Sequence, residues 1–194
     1  MKTYTKIAFF ALILLSSCMT HKVERVSTDE QIDLSGRWND TDSKMVADEM
    51  VKQVLDGPWL NNFMKSSDGK LPVVVVGLVY NKSHEHIASE TFIKDVEKAF
   101  INSGKVRLVQ AGDKREELRK ERAGQMEFAS AETTKKWGQE LGADMMMNGD
   151  ISSIVDEYKK EKVIYYQVNL ELSNVETNEV VWIGDKKIKK YVTK

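Results

Sequence analysis

The chain has 194 residues, 29 Lys and Arg against 30 Asp and Glu, 41% hydrophobic residues and 8% aromatic ones. That suffices for one domain of ordinary size with a tail and is too little for two full domains. The formal net charge of −1 gives no long-range attraction to phosphate backbones, so nucleic acid is not among the expected partners. The single cysteine, Cys18, excludes an internal disulfide framework and any four-cysteine metal site.

The N-terminus has two lysines, Lys2 and Lys6, then an apolar run at residues 7–15 and a small-residue exit, Ser16-Ser17-Cys18. That is the layout of a secretory signal peptide. The run is too short for a bilayer, whose hydrocarbon core needs about 20 apolar residues. Leu15-Ser16-Ser17-Cys18 resembles a bacterial lipobox. The expectation is removal of the signal peptide, residues 1–17, and lipidation of Cys18, so that acyl chains anchor the chain to a membrane. The mature chain keeps 27 basic and 30 acidic residues, a net −3. Residue 19 is Met rather than Asp, which resembles an outer-membrane address, with the chain facing the periplasm.

Residues 18–33 are polar, have no sustained period, and read as a lipidated flexible tether. About fifteen residues reach at most about 50 Å when fully extended. A globular domain is expected over residues 34–194. It opens with a helix capped by Thr41 or Asp42, with Val46, Ala47, Met50, Val51 and Val54 on one stripe, ended by Gly57-Pro58. A short helix over residues 59–64 and an Asp68-Gly69 turn follow. Residues 73–80 (VVVVGLVY) read as a strand buried on both faces, and residues 81–87 as its exit loop.

Ser89 is placed to cap a helix carrying Phe92, Ile93, Val96 and Phe100, ended by Ser103-Gly104. A short strand at residues 106–109 completes a βαβ unit, which makes its two strands parallel. Residues 113–122 form a helix too polar to contribute to a core. Another helix is expected from Ser130 or Ala131 to Leu141, carrying Trp137. A strand over residues 145–158 follows. Residues 163–173 alternate, with Ile164, Tyr166, Val168, Leu170 and Leu172 on one face and Gln167, Asn169 and Glu171 on the other. A last strand covers residues 179–190, so the three C-terminal strands read as an antiparallel meander with one wet face. The fold class is mixed α/β.

Chemistry is sparse. His84-Glu85-His86 spaces its histidines two apart, aligned on a strand but opposed on a helix, so it reads as a structural or partner-contacting loop rather than a metal site. Met145-Met146-Met147 reads as strand core, since neighbours on a strand face opposite ways. No GxSxG, Walker or GxGxxG motif is present. No enzymatic activity and no cofactor or metal is expected. Lys186, Lys187, Lys189 and Lys190 read as charges guarding a sheet edge, and Trp38 and Trp59 as buried staples beside the first helix.

The run Asp33-Leu34-Ser35-Gly36-Arg37-Trp38-Asn39-Asp40-Thr41-Asp42-Ser43 resembles the start of the LpoB family of penicillin-binding protein activators. Similar stretches are Val75-Val76-Gly77 with Asn81-Lys82-Ser83-His84-Glu85-His86-Ile87, and Ala99-Phe100-Ile101-Asn102-Ser103-Gly104-Lys105-Val106-Arg107. Gln139-Glu140-Leu141-Gly142-Ala143-Asp144, Asn174-Val175-Glu176-Thr177-Asn178-Glu179 and Val181-Trp182-Ile183-Gly184 continue it, so the resemblance spans residues 33–190.

It implies a domain like the N-terminal domain of TolB, a mixed sheet with flanking helices. It also implies an outer-membrane lipoprotein that binds a bifunctional class A penicillin-binding protein and stimulates glycan polymerisation and crosslinking without catalysis of its own. The enterobacterial activator has a long, proline-rich tether, whereas this one is short and proline-free. Asn81, Ser83, His84, Glu85 and His86 are the candidate partner-contact residues, with the charged helix as a second candidate surface. The alternatives are an oligomeric CsgG-like secretion or assembly lipoprotein, and a cell-wall hydrolase or metal-dependent enzyme acting through His84, Glu85 and His86.

Overall fold

The computed structural model describes residues 22–28, 30–130, 132 and 140–193. The chain divides into two compact units, Met1–Gln31 and Ile32–Lys194. Within the described part of the first unit there is no helix or strand; Glu30 N–H closes a turn on the Ser27 carbonyl (3.1 Å).

The second unit begins with α1 (Asp40–Asp56). Its cap is Asn39, not Thr41 or Asp42. Asn39 is extended, its side chain accepts the Asp42 N–H, and the Asp42 carboxylate accepts the Asn39 N–H, each at 3.0 Å. This reciprocal box satisfies two otherwise orphaned donors and moves Asp42 to the third helical position. Val46, Ala47, Met50, Val51 and Val54 form the expected buried stripe. Gly57 ends the helix and Pro58 opens α2 (Pro58–Ser66), where a missing N–H costs nothing. The Trp59 indole is buried and donates to the Val54 carbonyl in the last turn of α1 (2.6 Å).

The strand β1 (Val73–Asn81), helix α3 (Ser89–Ser103) and strand β2 (Arg107–Val109) form the βαβ unit, with β1 and β2 parallel. Ser89 is the first helical residue of α3 rather than its cap; the cap position is Ala88, with no side-chain hydrogen bond. Gly104, at φ +64°, ends α3 in the left-handed conformation that glycine adopts without penalty. Two-sided burial of β1 holds from Val73 to Val76. Past the register shift between Val76 and Val79, Leu78 and Tyr80 are exposed.

The helix α4 (Gly112–Phe128) runs beyond the expected residues 113–122 and buries none of its side chains. The helix expected from residue 130 or 131 to 141 falls largely outside the described residues; Glu140 and Leu141, which are described, are not helical.

Three fourteen-residue strands follow: β3 (Met145–Tyr158), β4 (Glu161–Asn174) and β5 (Val180–Thr193). They pair antiparallel as the meander, and β3 pairs parallel with β1, giving one sheet in the order β2-β1-β3-β4-β5. Helices α1 and α3 pack on each other, α1 also on β5 and α3 on β1 and β2, so both cover one face of the sheet. Under them lie Val74, Val76, Met145, Met147, Ile151, Val168, Leu170 and Leu172 together with Phe92, Val96 and Phe100. Met146, between two buried methionines, points to the other face. Over β3 and β4 that face is wet, and its polar side chains hydrogen-bond in a row: Asn169 to Asp150, Gln167 to Asn169 and Tyr165 to Gln167.

Candidate functional site

The loop after β1 folds on itself. The Asn81 side-chain oxygen accepts the Ser83 N–H (2.9 Å) and hydroxyl (2.6 Å), while its amide donates to the Glu85 carbonyl (2.7 Å). These short-range bonds are the local alternative to a continued strand that Asn and Ser favour. His84 N–H donates to the Ser153 hydroxyl on β3 (3.0 Å), and its Nδ1 lies 3.1 Å from the same oxygen. His84 and His86 are exposed, and Ile87 is buried.

Glu85 turns inward. Its carboxylate accepts the buried Tyr166 hydroxyl on β4 (2.8 Å) and the Trp38 backbone N–H (3.1 Å). Trp38 lies edge-on to the Tyr166 ring, with centroids 5.5 Å apart, and its indole N–H donates to Ser43 of α1 (2.8 Å). Glu85 therefore joins three separate pieces: the segment entering α1, the β1 exit loop and the centre of the sheet. Burial pushes the Tyr166 hydroxyl well above the ordinary tyrosine range, and the adjacent Glu85 carboxylate reinforces the shift. The hydroxyl thus stays protonated and keeps donating at neutral pH.

A second joint lies at the far end of β5. The Lys190 ammonium donates to Asp42 (2.7 Å), Asp33 (2.8 Å) and the Arg37 carbonyl (3.1 Å), using all three of its donors. Desolvation opposes its charge, but the two carboxylates outweigh it and hold the Lys190 pKa above the ordinary lysine value. Gly36, at φ +69°, lies so close to Val192 that a side chain there would collide with it. Residues 33–38 are thus a strap laid over Ile164, Tyr166 and the end of β5. Lys190 does not guard an edge, because its side chain has the parity of Ile188 and Trp182 and faces the helical side.

The arginines of α4 converge on one carboxylate. Glu140 accepts Arg119 at 2.9 and 3.0 Å and Arg122 at 3.3 Å, with Arg115 at 3.9 Å. Leu118, Met126 and Phe128 of this helix are exposed. A cleft of about 580 Å³ lies at the starting ends of β1, β2 and β3, lined in part by Phe63, Lys70, Arg107 and Asp144. The Asp144 carboxylate there is engaged by the Val73 N–H at 2.7 Å. Among the described residues no group of three His, Cys, Asp or Glu side chains could hold a metal ion, and no helix is long and apolar enough to cross a membrane. Cys18 lies outside the described residues.

The loop residues singled out from sequence are therefore together, with different duties. Asn81, Ser83 and Glu85 shape the loop and lock it to the sheet, whereas His84 and His86 are presented at its surface. The Lys190 joint is not among the contacts expected from the sequence. The signal for it was present: a lysine two residues after Ile188 on an alternating strand, with two acids flanking the start of α1.

The fold and these joints define a mixed α/β domain, strapped across its sheet by the segment that precedes α1. The chain belongs to the LpoB family: the family described as peptidoglycan-synthase activator LpoB matches residues 42–188, more than half of the chain. Similar solved structures include the LpoB C-terminal domain from Salmonella enterica, at 16% identity and a TM-score of 0.45, covering 77% of this chain and 99% of that one. The LpoB C-terminal domain from Escherichia coli gives 16% identity and 0.44 over the same shares. Lipoprotein GNA1162 from Neisseria meningitidis gives 15% and 0.37, with 63% of this chain and 84% of that one covered. No curated protein matches the sequence.

Proposed function

We propose that this chain is an outer-membrane lipoprotein, processed after residue 17 and lipidated at Cys18. In this reading a tether of residues 18–33 holds the domain from residue 34 onward in the periplasm. The domain binds a bifunctional class A penicillin-binding protein and raises its glycan polymerisation and peptide crosslinking, with no catalysis of its own. The observation that carries the reading is the family match over residues 42–188. Asp33 is already held by Lys190 and Asn39, so the free tether is no longer than the residues before it, within a reach of about 50 Å. The synthase must therefore extend outward to meet the domain.

The contact surface in this reading is the loop of Asn81, Ser83, His84, Glu85 and His86, with the exposed histidines touching the partner and Glu85 setting their position. The test is recovery from solubilised envelopes with the lipoprotein as bait. A class A penicillin-binding protein should be captured, and His84→Ala with His86→Ala should weaken capture while leaving the fold intact. Recovery of no wall-synthesis protein under gentle conditions would overturn the proposal.

A further inference from the structure

Among the described residues, the β3 edge of the sheet is left unpaired toward its end. The pairing of β1 with β3 stops at Asn81 and Ile151, while β3 continues to Tyr158. The exit loop covers the first step beyond, through Lys82 N–H to the Ile151 carbonyl (2.8 Å) and His84 N–H to the Ser153 hydroxyl. From Ile154 to Tyr158 every residue is exposed.

The Lys82 bond fixes the orientation of the backbone. Because Ile151 faces the β1 side, the alternation of a strand turns the N–H and C=O groups of Val155 and Glu157 the same way, and those of Ile154 and Asp156 toward β4. Among the described residues no backbone group meets Val155 or Glu157 on that side. An unpaired row of this kind is a template for another strand. At the opposite edge β5 carries Lys187 and Lys189. The β3 edge instead carries exposed Ile154, Val155 and Tyr158 around two acids, Asp156 and Glu157, which enter no ion pair among the described residues.

The geometry points to strand addition: an extended segment of a partner polypeptide, with apolar residues flanking basic ones, pairs with β3 over Ile154–Tyr158. Only an extended peptide supplies alternating backbone donors and acceptors at the required spacing, over about 17 Å for five residues. Basic side chains at its centre meet Asp156 on the wet face and Glu157 on the other. Apolar ones at its ends meet Ile154 and Val155 and, at the other end, the Tyr158 ring, one face of which carries the Lys159 ammonium at 5.0 Å. The segment would lie beside His84, which makes it continuous with the proposed contact loop. The inference rests on the docking function proposed above and specifies how the partner is held.

The test is hydrogen exchange of the full-length lipoprotein in detergent, with and without excess acetyl-Val-Val-Lys-Lys-Val-Val-amide, a probe whose pattern reads alike in both directions. Exchange at the Val155 and Glu157 amides should slow about tenfold or more. The same peptide N-methylated at alternate positions should give no protection. Val155→Pro removes only an outward N–H, which an edge strand tolerates, and should weaken peptide binding about tenfold. Glu157→Lys, which leaves the backbone untouched, should do the same.

Unchanged exchange at residues 153–158, or equal binding by both variants, would overturn the inference. So would protection that rises with protein concentration without peptide, because a second copy would then be the occupant. The two proposals separate with the synthase as bait-captured protein. Full capture by Val155→Pro overturns strand addition and leaves docking standing; peptide protection without any synthase capture by the unmodified protein removes the docking reading alone.

Discussion

Replacing Lys190 by Met tests whether the strap is part of the fold. The side chain is only 13% exposed, and its main partner Asp42 only 6%. Removing one member of a buried ion pair leaves an uncompensated charge and costs about 3–5 kcal/mol. Asp42 keeps the Asn39 N–H, which offsets part of that cost. The Asp33 limb, at 36% exposure, adds only about 0–1 kcal/mol, as surface pairs do. The expected loss is therefore about 3 kcal/mol, a large fraction of the stability of an ordinary domain. Urea unfolding followed by tryptophan emission reads it, with Trp38 in the strap itself reporting, and the midpoint should fall with the slope unchanged. Adding Asp42→Asn should restore part of the loss, because the stranded charge is gone. A loss under about 0.5 kcal/mol, or additive effects of the two substitutions, would refute the clamp.

Glu85→Ala leaves the Tyr166 hydroxyl and the Trp38 N–H without their acceptor and should cost about 2–4 kcal/mol in the same unfolding experiment. The raised pKa values of Lys190 and Tyr166 give stability that is complete below their ordinary values of about 10 and is lost as pH rises past them. Stability should therefore fall steeply in alkali, and Tyr166→Phe should flatten that fall in a pH series of urea midpoints. Arg119→Ala should leave the midpoint where it is, since α4 buries nothing and its arginine is exposed. Cys18→Ser should abolish metabolic labelling with palmitate and release the protein from the membrane fraction.

Where hydrophobic period decides structure, the sequence could be read directly. The α1 stripe of Val46, Met50 and Val54, the α3 stripe of Phe92, Val96 and Phe100, and the alternation from Ile164 to Leu172 all bury the faces their spacing implies. Helix starts are not fixed by the sequence, because Asn39, Thr41, Asp42 and Ser89 are all competent caps, and backbone angles and tertiary neighbours decide which position is used. The extent of α4 exceeds the expected residues 113–122 because Met126 and Phe128 continue a helix that no core face marks. The site was legible as a loop and illegible as a joint. Nothing local to His84-Glu85-His86 reveals that Glu85 meets a tyrosine 81 residues later. Lys190 looked like its neighbours Lys187 and Lys189 until strand register gave it the opposite face.

Activation is measured most directly as the crosslinking rate of a purified class A penicillin-binding protein from the same cells, on lipid-linked wall precursor with increasing amounts of this protein. For a non-catalytic activator the rate rises and saturates, and the added protein alone turns over no precursor. A rate that stays flat at concentrations where the two proteins are fully mixed, or precursor consumed when the synthase is left out, would contradict it.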